Sequence, residues 1–224
     1  MWNFSLVWNQ RAYMLTGTLY TLLITFGAAI LGIALGLLLG MGRISRNRLS
    51  AGLAAIYVTV IRGTPMLLQI LFVFFGVPQV FQAIAGRPLN MDPVVTGILA
   101  LGLNSAAYVA EIVRGGIQSI DKGQMEAARS LGLSYQQAMR HVILPQAFRR
   151  IIPPLANEFI VLLKDSSLVS VIGAYELMYR GKLMGSKYYA YIPFLVGAAI
   201  IYLSLTVIFT QLVARLERRL AVSD

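Results

Sequence analysis

The chain has no cysteine among its 224 residues, which excludes disulfides, thiolate metal sites and cysteine nucleophiles whatever the compartment. His141 is the only histidine. That is too little for a histidine-based metal cluster, and nothing in the spacing around it supports a Ser-His-Asp triad. A phosphate-cradling G-x-x-x-x-G-K-[ST] run is also missing, since Gly181-Lys182 is followed by Leu183 and lacks the upstream glycine. The chain therefore carries no P-loop of its own. Charge is scarce as well: 12% of residues are charged and 58% hydrophobic, against about 25% and roughly 45–50% in soluble domains. What remains is an integral membrane protein, read as one domain over residues 1–224.

Five stretches are long enough to cross a hydrocarbon core of about 30 Å at roughly 1.5 Å per helical residue. They are 16–41, 52–77, 94–113, 151–173 and 193–213. The predicted fold class is all-α, polytopic, with five transmembrane helices. Ahead of the first, Trp2, Trp8, Tyr13 and Arg11 read as an interfacial belt that is retained rather than as a cleavable signal. Within the first, Ala28, Gly32, Gly36 and Gly40 recur every four residues, which predicts a bare face for close intramolecular helix packing. Arg62-Gly63-Thr64-Pro65 interrupts the second. Pro65 has no N–H and disfavours helical geometry at Thr64, so a kink or break is expected there, of the kind that lines cavities rather than lipid. Turn residues from Pro78 to Pro93 predict a loop, Gly115-Gly116 the exit of the third span, and Tyr175, Glu176, Tyr188, Tyr189 and Tyr191 a second loop.

The fourth stretch is the polar one, with Asn157, Glu158, Lys164, Asp165, Ser166 and Ser167. Each charge near the bilayer centre costs roughly 2.5–3.5 kcal/mol, so three cost about 8–10, while its Ile, Leu, Val and Phe residues return only about 4–7. It cannot face lipid alone. Asn157 with Lys164 and Glu158 with Asp165 are seven apart, which sets each pair on one side of a helix and makes a polar stripe.

Five crossings put the termini on opposite sides, and basic residues choose the side. Twelve of the nineteen lie in the 43–48 loop, the block between spans three and four with its edges, and the tail; five lie on the other face. The N-terminus is then outside and that block cytoplasmic. The net charge of +10 is accordingly a topology signal and not a sign of a nucleic-acid partner.

The block itself, residues 121–145, carries two helix-capping signatures, Asp121 with Gln124 and Ser134 with Gln137. They predict a helix from Lys122 stopped at Gly132 and a second from Tyr135 to about Leu144, limited by Pro145. Glu126-Ala127-Ala128, three residues, Gly132, nine residues, then Val142-Ile143-Leu144-Pro145 resembles the cytoplasmic EAA loop of bacterial ABC-importer permeases, departing from it at Val142, where isoleucine is usual. Arg62–Pro65, Ala106–Ile117 and Asn157–Gly173 extend the resemblance to the polar amino acid permeases of the histidine, glutamine and arginine type.

The resemblance implies a type I ABC importer fold in a bacterial inner membrane, with no catalysis and no cofactor in this chain. ATP would be bound by two separate ATPase subunits. It further implies a second permease copy or homologue, an external solute-binding protein and an amino acid substrate. Glu126, Ala127, Ala128, Leu131, Gly132 and Pro145 would form the surface coupled to the ATPase. The substrate path is expected along Glu158, Asn157, Arg62, Thr64, Lys164 and Asp165. Glu158 with Asn157 would face the ammonium, and Arg62 or the helix end at Gly63-Thr64 the carboxylate. Structural pairing competes for the same residues, notably Lys164 and Asp165 with other spans and Glu111 with Arg114. Two other functions fit membrane charges: an ion-coupled secondary carrier with Glu158, Lys164 and Asp165 as a relay, and a non-transporting scaffold.

Overall fold

The computed structural model describes residues 3–221, and every regular element within them is helical. Trp2 lies outside that range. A short helix α1 (Ser5–Asn9) leads into α2 (Arg11–Arg43), which returns through α3 (Arg48–Arg62) and α4 (Met66–Ala85). Then come α5 (Pro93–Gln118), α6 (Lys122–Ser130), the long α7 (135–165), α8 (Leu177–Lys187) and α9 (Tyr191–Ala221).

Among the described residues four helices, α2, α4, α5 and α9, are long and apolar enough to cross a membrane. The chain is thus an all-α polytopic membrane protein, with four such helices where five were expected. The missing one is α7. Its Leu144–Asp165 portion has 22 residues, enough length, but Arg149, Arg150, Glu158, Lys164 and Asp165 deny it the apolar surface that lipid requires.

Packing is organised on α5, whose most apolar 18-residue stretch is 56% buried against 6% for α4. The small-residue face of α2 lies directly on it. A Cβ at Gly36 would stand 2.4 Å from the Val109 Cβ and 2.9 Å from the Ala106 carbonyl oxygen, while Gly32 meets Ser105 and Gly40 meets Val113. The four-residue repeat is therefore the seam through which two long helices approach backbone to backbone. Ile24, Ala28, Ile70, Leu101, Leu162 and Val169 close the main core around this seam. The outer faces of α2, α4 and α9 leave Ile30, Leu38, Phe72, Ile84 and Leu203 exposed, as surfaces meant for lipid or a partner would.

Several boundaries differ from those read in the sequence, each for a local reason. The helices overrun the apolar windows because polar ends continue the hydrogen-bond ladder: α2 covers Arg11–Arg43 and α5 Pro93–Gln118. Gly115-Gly116 is no exit but part of α5. A Cβ on Gly116 would sit 2.3 Å from Ile151 Cγ1, so this glycine admits α7. The second window splits at Gly63–Pro65 into α3 and α4, and the apolar crossing helix runs on to Ala85, leaving a loop of 86–92 only.

Pro78, read as a loop residue, and Pro145, read as a helix stop, both lie inside helices. Each stands two residues after a five-residue π-helical turn, Phe72–Gly76 and Met139–Ile143. Hydrogen bonds running to the fifth residue back widen the turn where the proline ring would meet a carbonyl. The second hairpin helix consequently continues from Tyr135 to Asp165, through Pro153 and Pro154 as well, and passes into a 3₁₀ segment, Ser166–Ile172, ended by Gly173 at φ +83°. The tyrosine-rich second loop is mostly the helix α8.

Candidate functional site

The hairpin α6–α7 forms as its caps dictate. Asp121 accepts from the Gly123 N–H at 2.7 Å, although Gln124 turns away to accept from Gln146 instead of closing a capping box. Ser134 and Gln137 do close one. At the tip the Leu133 N–H reaches the Ala128 carbonyl and the Gly132 N–H the Arg129 carbonyl, with Gly132 at φ +88°. This is a left-handed helix end that satisfies two orphan carbonyls. Ala128 is buried, and Met125, Met139, Val142 and Ile143 pack against Val109 and Val113. Glu126, Ala127 and Pro145 face outward, and Leu131 is 85% exposed at the tip. Arg46, over the Tyr135 ring at 5.1 Å, ties the α2–α3 loop to the same hairpin.

Inside the bundle α5 holds two groups in register. Ser105 Oγ donates to Glu158 Oε1 at 2.9 Å, and Glu158, half-buried, has no basic partner among the described residues. One position earlier, Asn104 Nδ2 donates to Gln69 Oε1 at 3.0 Å beside the α3–α4 break. Thr64 sits in that break, its Oγ1 donating to the Val60 carbonyl at 3.0 Å. Asn157 is exposed and donates to the Pro153 carbonyl. Lys164 is exposed and Asp165 half-buried.

Arg62 looks elsewhere. It lies over the Tyr108 ring at 5.1 Å and 3.9 Å from Glu111, which also binds Arg43 at 3.1 Å and Arg114 at 2.7 Å. The Glu111–Arg114 pair is the one expected from their spacing. It is part of a four-residue cluster joining the ends of α2, α3 and α5.

Sequence reasoning missed Glu176. Assigned to a loop, it is a fully buried N-cap of α8. Its carboxylate accepts from the Met178 and Tyr179 N–H groups at 2.8 and 2.6 Å and from Tyr202 Oη at 2.7 Å, and Thr21 Oγ1 approaches at 3.4 Å. Burial of this carboxyl group is tolerated because both oxygens are hydrogen-bonded and the helix N-terminus faces it. An acidic residue directly before an apolar helical run was the available signal. Arg180, four residues on, does not pair with it but donates to the Tyr175 and Tyr13 carbonyls under the Tyr13 ring. These two side chains fasten α8 between α2 and α9.

The chain is 41% identical over 222 residues, 99% of each protein, to the arginine transport system permease protein ArtQ of Bacillus subtilis (strain 168). It is 36% identical over 220 residues, 98% of each, to the glutamine transport system permease protein GlnP of Escherichia coli (strain K12). A crystal structure of an amino acid ABC transporter with histidines superposes with a TM-score of 0.91 at 40% identity, covering 98% of this chain and 99% of that one. Residues 32–222 match the binding-protein-dependent transport system inner membrane components, a span that takes in the α2–α5 seam, the broken helix, the hairpin and Glu158, and the chain belongs to that family.

Proposed function

We propose that the chain is the permease subunit of an ATP-binding-cassette importer for polar or charged amino acids. It forms the translocation path and draws its energy from a separate ATPase. Family membership over nearly the whole chain supports the importer, and the arginine and glutamine systems among its relatives support the substrate class. One transmembrane domain, 1–224, crosses the membrane five times with α7 as the fifth crossing, the N-terminus outside and the hairpin 121–145 inside. Glu126, Ala127, Ala128, Leu131, Gly132 and Pro145 meet a groove on the ATPase. Two ATPase subunits, a second permease copy or homologue and an external solute-binding protein complete the assembly. The exposed apolar faces of α2, α4 and α9 meet lipid and the second permease.

The observation that carries the site is Glu158, a carboxylate inside the bundle with one hydroxyl donor and no basic partner among the described residues. An amino acid ammonium would supply the missing charge in a medium where pairing is strong. Asn157 and Asp165 stand on the same helix. Thr64 at the helix break is the group facing the substrate carboxylate, since Arg62 is turned toward Glu111.

The test is ATP hydrolysis by the reconstituted permease, its ATPase and its binding protein in liposomes, scanning single amino acids. Stimulation by one or a few polar amino acids, lost in Glu158→Gln, is expected. Unaltered stimulation in that variant would remove Glu158 from the site. Uptake driven by an imposed ion gradient without the ATPase would instead make the buried carboxylates a relay.

A further inference from the structure

The break between α3 and α4 creates a specific deficit. In a continuous helix the N–H of residue 65 would meet the Ile61 carbonyl, and Pro65 has none to give. Pro65 takes up extended geometry at ψ 137°, so within its own turn the Ile61 carbonyl is left with two long contacts, to the Thr64 N–H at 3.4 Å and the Thr64 Oγ1 at 3.3 Å. Gln69 fills the gap. Its Nε2 donates to the Ile61 carbonyl at 2.8 Å, with the Thr64 Oγ1 at 2.9 Å and the Thr64 carbonyl at 3.2 Å. Two of these three partners are carbonyls that only accept, which fixes the amide orientation and turns Oε1 outward to Asn104 Nδ2.

The hold on the break is wider than one amide. Asn104, Tyr108 and Glu111 recur at four and three residues along α5, so they share one face. Asn104 grips Gln69 on the far side of the break, while Tyr108 and Glu111 grip Arg62 on the near side. Tyr57 Oη adds a 2.7 Å bond from α3 to the Leu103 carbonyl. Ser105, next to Asn104, holds Glu158. Movement of the broken helix and the position of Glu158 are thereby referred to two successive turns of α5.

We infer that Gln69 and Asn104 are positioning residues that clasp the α3–α4 break and hold it in fixed relation to the Glu158 site. The clasp substitutes a side-chain amide for the N–H that Pro65 lacks. The transport role of this geometry rests on the reading of Glu158 as a substrate contact, whereas the clasp itself can be measured without substrate.

The absence of native cysteine allows spin labels at Leu53→Cys and Ile84→Cys, two exposed positions on either side of the break. Their distance distribution is read by pulsed electron resonance in lipid nanodiscs. A single narrow distribution is expected for the parent, and a broadened or shifted one for Gln69→Met and for Asn104→Leu. The double variant should do no more than either single, because one clasp is being opened. The exchange Gln69→Asn with Asn104→Gln, which preserves the combined reach, should narrow the distribution again. Where the methionine variant does not accumulate, Gln69→Glu keeps the side-chain size, loses the donors and carries the same expectation. Parent-like distributions in both singles, or additive effects in the double, would overturn the clasp. Glu158→Gln should leave the distance unchanged and abolish substrate stimulation. If it instead leaves stimulation intact, the site reading fails while the distance result stands.

Discussion

Gly36 and Gly52 are both helix-interior glycines, and their surroundings give alanine opposite effects. Helix propensity favours alanine by roughly 0.8–1.0 kcal/mol at either position. At Gly52 a Cβ meets nothing within 4 Å, so Gly52→Ala should raise the thermal unfolding midpoint in detergent. At Gly36 it meets a β-branched Cβ and a backbone oxygen, neither of which can rotate away, and overpacking costs about 1–3 kcal/mol. Gly36→Ala should lower the midpoint, and an increase there would disprove the α2–α5 seam. This residue pattern was legible in the sequence because a four-residue period is local information. Gln69 and Glu176 were not. Their meaning depends on Asn104, 35 residues away, and Thr21, 155 residues away, and no spacing rule connects such pairs.

At the scale of elements, capping chemistry was readable and proline was misread. The caps at Asp121 and Ser134 start their helices as expected, since a cap involves only the next three residues. Pro78 and Pro145 do not break their helices because a π turn two residues earlier removes the clash, and the sequence carries no clear sign of a π turn. The resulting continuity makes α7 one body from the hairpin to the turn before Glu158 and beyond. In the proposed coupling mechanism, this helix is the element that would carry a displacement of the hairpin to Glu158. The hairpin turn itself depends on Gly132 at φ +88° in open space, so substitution there strains the backbone without touching a neighbour. Valine, β-branched, should cost about 1–3 kcal/mol to hold in this turn and asparagine less, so a hairpin that relaxes when undocked loses up to that much on docking, or roughly 5- to 150-fold in the docked population. Substrate-stimulated ATP hydrolysis should fall by that factor in Gly132→Val and largely survive in Gly132→Asn, at equal permease content. Undiminished stimulation with valine would remove the turn from the coupling path.

For the whole molecule the number of crossings turns on α7. By composition α7 falls short of a lipid-facing span, yet it need not meet lipid. Its Ala147, Ile151, Ile160 and Leu163 are buried, and Glu158 is turned to Ser105 on α5. Of its charges, Glu158 and Asp165 are half-buried against protein, while the exposed Arg149, Arg150 and Lys164 lie toward the two ends of the Leu144–Asp165 portion, where a charge costs less than at the bilayer centre. The Leu144–Asp165 portion alone spans about 33 Å at 1.5 Å per residue, which matches the hydrocarbon core, and the distribution of basic residues favours the proposed orientation with the hairpin inside. Single cysteines in this cysteine-free chain decide the matter: Ser130→Cys on the hairpin and Tyr189→Cys beyond α7, both at exposed positions. With a membrane-impermeant maleimide on intact cells, Tyr189→Cys should label at once and Ser130→Cys only after the membrane is opened. Labelling of both from the same side would mean that α7 folds back without crossing, and the chain would then have four spans with its termini on one face.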